Sequence, residues 1–308
     1  MTVSSHVRAR SGLLAVCGGA LLWGTTGVAV RIIHDRTGLA AVSIGWYRVL
    51  IAAAVVAIVF GRRAVRAAAE AFRRYPIALT VSGAGFGAYQ ALYFVGVQDV
   101  GVSVSTLVSL GVAPVALTLG TAFARRRRPA GRSLLVLGCA LVGLALVSLR
   151  PGSGAAAPHP VIGVLASVGS GLGYAGITAL SRRMAREDPL VLTGATSAVA
   201  VLVLLPFAAP AGLPVPHDAI AGWWLIYIGV VPTVAAYWLF YRGLRSTAPE
   251  VAGVLTLLEP LAAAGLAALV LHESLSGWAV VGGALMLLAV GALYLRAPSP
   301  ELGEVPPP

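Results

Sequence analysis

This 308-residue sequence predicts an all-α polytopic membrane protein, with ten transmembrane helices arranged as two inverted five-helix repeats. Three observations lead there. Apolar residues make up 58% of the chain and charged ones 11%, far from the roughly half-apolar, quarter-charged mix of soluble domains. The apolar residues fall into about ten runs of spanning length, separated by short breaks rich in arginine, proline or polar residues. The two halves of the chain repeat one another in outline.

Taken in order, the predicted spans are 12–32, 40–60, 76–97, 101–123, 132–149, 161–181, 190–209, 220–241, 250–271 and 277–295. The first follows MTVSSHVRARSG, whose arginines resemble the start of a secretory signal. The apolar run continues through Trp23 without a cleavage site, however, and so reads as a span behind a short tail, 1–11. The tail after Arg296, 297–308, is proline-rich and ends EVPPP, a composition that predicts disorder. Little chain is left for a soluble domain.

Orientation follows from the arginines. With the amino terminus inside, the cytoplasmic breaks hold 18 of the 22, including Arg62, Arg63, Arg125 to Arg128, Arg182, Arg183, Arg186, Arg242 and Arg245. The other face receives Arg31, Arg36 and Arg150, while Arg48 falls within a span. This split predicts an even number of spans and both termini in the cytoplasm, in the cell membrane. The net charge of +11 is thereby read as a topology signal; the arginines lack the aromatic interleaving of a nucleic-acid surface.

The duplication is carried by particular residues. Gly12 to Arg31 overlies Gly163 to Arg182, with Trp23 meeting Tyr174. Tyr89 and Tyr93 in YQALY match Tyr237 and Tyr241 in YWLFY, and Pro114 then corresponds to Pro260. Each unit, 12–149 and 161–296, would hold five spans; an odd number places the copies upside down relative to each other, joined by a linker over 150–160.

This pattern resembles the EamA-type branch of the drug/metabolite transporter superfamily. The resemblance rests on Trp23-Gly24, on the arginine in WYRVLIAAA, and on two loop-and-proline units, VQDVGVSVSTLVSLGVAP and LRSTAPEVAGVLTLLEP. It implies a secondary transporter of small metabolites, such as amino-acid-like compounds or drug-like analogues. Two departures stand out. The first copy has Ala113-Pro114 where the second has Glu259-Pro260, and Arg127 takes the place that matches Glu273.

Glu259 is the leading candidate site residue, because a mid-span charge costs several kcal/mol unless paired or hydrated. A substrate or proton pathway and a structural helix contact are both open to it. Pro260 gives no N–H to the carbonyl of Thr256, nor Pro114 to that of Leu110, which predicts a break or hinge with a free acceptor in each helix. Arg48, roughly 12 Å inside the second span, could bind an anion, pair with Glu259 or snorkel outward. Tyr89 with Tyr93, and Tyr237 with Tyr241, are one turn apart and line either a cavity or an interfacial belt. Trp23 joins this candidate pathway. Trp223, Trp224 and Trp278 read as belt residues, Glu250 as a first-turn acid, and the pairs Gly83/Gly87 and Gly169/Gly173 as packing contacts.

The leading function is an exporter working by alternating access on a small-molecule substrate, with protons as a candidate coupling ion. An uptake permease of the same fold, or an intramembrane enzyme, are the alternatives. Against the enzyme, HESLS at His272 lacks the second histidine of a zinc HExxH helix, and no GxSxG turn occurs. No cofactor, catalytic residue or metal ligand is predicted, and the small-residue contacts are equally compatible with a homodimer.

Overall fold

The computed structural model describes residues 2–148, 159–270 and 276–295, with the side chains of 2–9 and of 267 excepted. The stretch from 149 to 158, His272 to Ser274 with Glu273, and the tail from 296 lie outside these residues. Among the described residues there is no strand, and nine helical stretches are long and apolar enough to cross a bilayer.

Helix α1 (Thr2–Gly24) takes in the predicted amino-terminal tail, halts at Thr25 and resumes as α2 (Thr26–Thr37). Thr25 turns its hydroxyl and its N–H to the carbonyl of Leu22, at 2.8 and 3.2 Å, which interrupts the regular helical ladder. Helix α3 (Ala41–Arg74) runs past its predicted end and kinks at Gly61.

Helix α4 (Pro76–Ala124) joins the predicted spans 76–97 and 101–123 into 49 residues, which at 1.5 Å per residue would be roughly 74 Å if straight. It is not straight. Gly101 adopts φ 80 and ψ 164, a backbone state that side chains disfavour and glycine permits. The arms on either side lie together: the Tyr93 and Thr106 hydroxyls are 2.8 Å apart, and Ser105 donates to the Tyr93 carbonyl.

Helices α5 (Gly131–Ser148) and α6 (Pro160–Ser181) follow, then a 3-10 turn at Arg182–Met184. Asp188 caps α7 (Pro189–Ala211) by accepting from the N–H groups of Leu190 and Val191. Asp218 likewise caps α8 (Ala219–Gly229) through Ala221 at 2.7 Å. A π-helical turn, Val230–Ala235, containing Pro232, leads into α9 (Ala236–Leu244). The chain ends with α10 (Pro249–Leu255), α11 (Leu258–Val270) and α12 (Gly277–Leu295). Proline at the first turn of α4, α6, α7 and α10 fits a position where a missing N–H costs nothing.

The two prolines behave differently from expectation and from each other. Helix α4 passes through Pro114 with helical dihedrals, its interior break lying at Gly101. Proline's φ is itself helical, so a buried Pro114 packed on Gly253 can stay in line at the loss of one bond. Pro260 sits in the first turn of α11, and the break comes before it, at Thr256–Leu257. There the Thr256 carbonyl is not free: the N–H of Glu259 reaches it at 3.0 Å, a tighter i to i+3 bond that replaces the one Pro260 cannot make.

Packing is reciprocal between the halves. Helix α1 lies against α9, α10 and α11, while α6 lies against α4; α3 pairs with α7, and α5 with α12. Small residues mediate the close approaches: Gly83 and Gly87 of α4 admit Val199 and Val203 of α7, and Gly173 of α6 meets Tyr89. Leucine, isoleucine and valine at positions such as Ile58, Leu202 and Leu288 face outward, while serines and threonines are buried inside. The connections gather at two ends. At one, Arg74 pairs with Glu187 at 3.1 Å and Arg182 donates to the Thr247 carbonyl. At the other, Arg36 pairs with Asp218 at 3.2 Å and Ser43 bonds the Gly212 carbonyl.

Candidate functional site

One face of the first arm of α4 carries Phe86, Tyr89, Gln90 and Tyr93, at the i, i+3, i+4, i+7 spacing of a single helical stripe. It looks across at Tyr237, Phe240 and Tyr241 of α9. The two tyrosines that sequence comparison pairs, Tyr89 and Tyr237, touch: their hydroxyls are 2.8 Å apart. Trp23, at the end of α1, closes the group with ring centroids 4.9 Å from Tyr237, 5.2 Å from Phe240 and 6.3 Å from Tyr174 of α6. Phe86 lies 4.8 Å from Tyr237. Such tilted and edge contacts suit the ring quadrupoles and hold the rings rigidly.

This places the tyrosines inside the helix bundle and excludes the belt reading for them; Tyr237 and Tyr241 are 5% and 4% exposed. Tyr241 packs tilted against Tyr237 and Phe240, with ring centroids 5.9 Å apart in each case. Tyr93 is partly diverted, since its hydroxyl braces the two arms of α4 through Thr106. Trp223 and Trp278 are 65% and 67% exposed, as lipid-interface residues are, whereas Trp224 packs against Tyr227.

Arg48 of α3 does not snorkel outward. Its Nη2 donates to Oε1 of Gln90 at 2.7 Å, and Gln90 in turn donates to the carbonyl of Phe86, so the guanidinium is anchored to the aromatic face of α4. Its charge reaches Tyr89, Tyr237 and Glu259. Its Nε is buried and without an acceptor, as are Nε1 of Trp23 and the hydroxyl of Tyr174. Three donors in this region are thus buried without acceptors of their own.

Glu259 stands at the start of α11, where exposed N–H groups favour a negative charge. Its immediate neighbour is the break in the first span. A Cβ on Gly24 would come within 2.8 Å of the Glu259 carbonyl oxygen and 2.9 Å of the Ala263 nitrogen, so α1 and α11 cross at backbone contact. Glu259 nevertheless keeps part of its surface accessible, unlike the run from Ala252 to Leu258 before it. The π-helical turn adds a third irregularity nearby: it packs on α1 and α3, and Gly229 just before it abuts Ile51 and the Arg48 carbonyl.

The structure therefore brings Trp23, Arg48, Tyr89, Tyr237 and Tyr241 into one buried cluster, with Glu259 in electrostatic reach. Pro114 stands apart, in a dry contact with Gly253 and Leu117. Glu250 bonds Thr121 and lies 3.9 Å from Arg125, tying α10 to the end of α4. Sequence reasoning missed Gln90, Phe86 and the π turn. Gln90 was legible as a lone amide within YQALY, and Pro232 in mid-span is the only mark of the π turn. Among the described residues no three of His, Cys, Asp and Glu cluster as metal ligands would.

Comparison with known proteins agrees with this architecture. The EamA-like transporter family matches residues 10–149 and again 161–295. An uncharacterized transporter of Bacillus subtilis, YwfM, is 30% identical over 288 residues, spanning 90% of this chain and 91% of its own. An uncharacterized inner membrane transporter of Salmonella typhimurium, YicL, is 25% identical over 274 residues, 86% of this chain and 89% of its own. A solved crystal structure superposes with a TM-score of 0.78 at 21% identity, covering 93% of this chain and 97% of the other, and so shares the fold.

Proposed function

We propose, since this chain belongs to the EamA-like transporter family, that it is a secondary active transporter that exports small metabolites through the cell membrane by alternating access. The observation that carries the reading is the meeting of two interrupted helices, α1/α2 at Thr25 and α10/α11 at Thr256–Leu257, beside Glu259 and a group of aromatic side chains. Discontinuous helices at mid-membrane supply helix ends and polar groups to a ligand that lipid could not stabilise.

Ten crossings follow when the two arms of α4 are counted separately. Two family matches with a gap between them, and the reciprocal packing of α1 with α9 to α11 and of α6 with α4, favour two inverted units over 12–149 and 161–296. Such units offer two equivalent packings, open to either side. The arginine-rich end that holds Arg74, Arg182 and Arg245 is the cytoplasmic one on this reading, and both termini lie with it.

In the working cycle, the substrate sits among Trp23, Tyr89 and Tyr237. Arg48, held by Gln90, faces an acceptor on the substrate, and Glu259 binds either a cationic group or the coupling proton. The rings suit planar or apolar substrate parts, and the three unpartnered donors suit a carbonyl or carboxylate.

The test is Glu259→Gln reconstituted in proteoliposomes at matched abundance, with substrates chosen from compounds that accumulate in the medium of cells expressing the protein. Transport driven by a pH gradient falls at least about tenfold while substrate exchange persists, the loss expected when only a transferable proton is removed. Equal loss of exchange would assign Glu259 to substrate binding; undiminished driven transport would remove it from the cycle. Depletion of a compound from the medium would reverse the direction.

A further inference from the structure

A recess lies at the arginine-rich end, one helical turn along α9 from Tyr241. It has a volume of about 720 Å³ and draws its walls from three junctions: Tyr75 between α3 and α4, Arg182, Arg183 and Arg186 on the turn between α6 and α7, and Leu244 with Arg245 at the end of α9. Arg245 also borders a neighbouring recess of about 580 Å³. Four arginines therefore line one concavity.

Two of the four are fixed in place by backbone oxygens. Arg182 donates from Nη1 to the Thr247 carbonyl at 3.1 Å, while Arg245 donates from Nε to Ala185 at 2.9 Å and from Nη2 to Glu187 at 2.6 Å. Each guanidinium has five N–H donors, so both arginines retain donors after these bonds are made. The carboxylates at hand are committed elsewhere: Glu187 pairs with Arg74, and Asp188 caps α7. Fixed donors, surplus positive charge and engaged neighbouring acids distinguish this recess from the other arginine groups. Arg62 and Arg63 lie on one helix, and Arg125 to Arg128 in one turn.

We infer that this recess binds a phosphate-bearing anion. Guanidinium forks match phosphate oxygens in geometry as well as charge, and basic pockets between membrane helices suit anionic headgroups. Tyr75, partly exposed, adds an aromatic wall beside the arginines. A ligand here would bridge the α3/α4, α6/α7 and α9 junctions and so hold that end of the bundle together. The shared chemistry is the phosphate; an anionic phospholipid and a soluble phosphate are its two sources.

The experiment uses the full chain, purified in detergent and stripped of lipid, with thermal unfolding and native mass spectrometry as readouts. Phosphatidylglycerol, phosphatidylcholine of the same acyl chains, inorganic phosphate and chloride at matched ionic strength are added in turn. The variant is Arg183→Gln with Arg186→Gln, neither of which makes the backbone bonds that fix Arg182 and Arg245; Arg62→Gln with Arg63→Gln is the control. At roughly fivefold per arginine, the variant should bind phosphatidylglycerol about 25-fold more weakly while the control is unchanged. Stabilisation by phosphatidylglycerol alone supports the site and names a lipid; stabilisation by inorganic phosphate as well supports it and names the soluble source. Equal stabilisation by phosphatidylcholine or by chloride, or undiminished binding in the variant, would overturn the inference.

Discussion

In each half of the chain the small residue after an aromatic one leans on a proline-bearing helix: Gly24, after Trp23, on α11 at Glu259, and Ala175, after Tyr174, on α4 at Ala113. The second contact is dry and continuous. Ala113 is 2% exposed and packs with Leu117, Ala175 and Tyr174, and α4 runs through Pro114 unbroken. The first contact is open: Gly24 lies against backbone, the helix parts at Thr256–Leu257, and Glu259 stays partly accessible. Equivalent positions have thus been given to packing in one half and to an ionisable group in the other. A scheme with a carboxyl in each half is therefore not available to this chain.

The hardest test of that difference is to erase it. Ala113→Glu places a carboxyl at a buried position inside a continuous helix, packed on Ala175 and Leu117, with no helix start to receive it. A charged group at the centre of a span costs about 3 kcal/mol, so the variant should be recovered in the membrane at a small fraction of the normal level. The measurement is folded protein by size-exclusion after detergent extraction. A well-folded Ala113→Glu protein would mean that the two crossings differ in sequence but not in environment.

A smaller effect separates the two prolines. Pro260→Ala returns an N–H one turn beyond Thr256, where it competes with that of Glu259 for the same carbonyl and lets the helix close across Thr256–Leu257. Glu259 then turns with the closing backbone, and transport should fall by about tenfold, the loss of roughly 1.4 kcal/mol of positioning. Pro114→Ala instead adds a bond to the Leu110 carbonyl in a helix that is already continuous. Its transport should stay within about twofold, with stability raised by about 1 kcal/mol. Transport assays in proteoliposomes and thermal unfolding in detergent distinguish the two, and equal losses would mean that both prolines act as hinges.

The contrast explains what the sequence made legible. Apolar run length places the spans from α5 onward within a few residues, because spanning a bilayer fixes length and forces the backbone to bond internally, whereas α1 and α3 extend ten or more residues past their predicted bounds. The acid at Glu259 and the tyrosine pairs were equally visible, since residues that are costly in lipid must face the interior. What was hidden was backbone repair. The missing N–H of Pro260 pointed to a free Thr256 carbonyl, yet the N–H of Glu259 shifts register and takes it. Such a substitution depends on the local dihedral path, not on residue type. The destination of Arg48 was hidden for a related reason: its partner Gln90 lies on another helix, 42 positions away, and a single sequence does not say which faces meet.

The smallest expected effect lies at the far end of the same pair of helices. Arg36, at the end of α2, holds Asp218, the cap of α8, at 3.2 Å, and so ties α2 to α8 on the side away from the arginine-rich recess. The Ala221 N–H first, and the Arg36 charge after it, hold the Asp218 carboxyl below the ordinary value of 3.8. A depressed carboxyl contributes its stability above that ordinary value and loses it as pH falls through the folded-state value. The contribution is therefore complete at neutral pH. Asn at this position still caps the helix but cannot pair with Arg36. Asp218→Asn should lower the unfolding temperature at pH 7 by about 1 °C, since exposed ion pairs are weak and screened by water. The difference should close only as pH falls through the depressed folded-state value, below which both side chains are neutral. A shift of many degrees at pH 7 would show instead that this exposed pair governs how α2 closes on α8, and that the open contact at Gly24 and Glu259 is held from its outer end rather than at its centre.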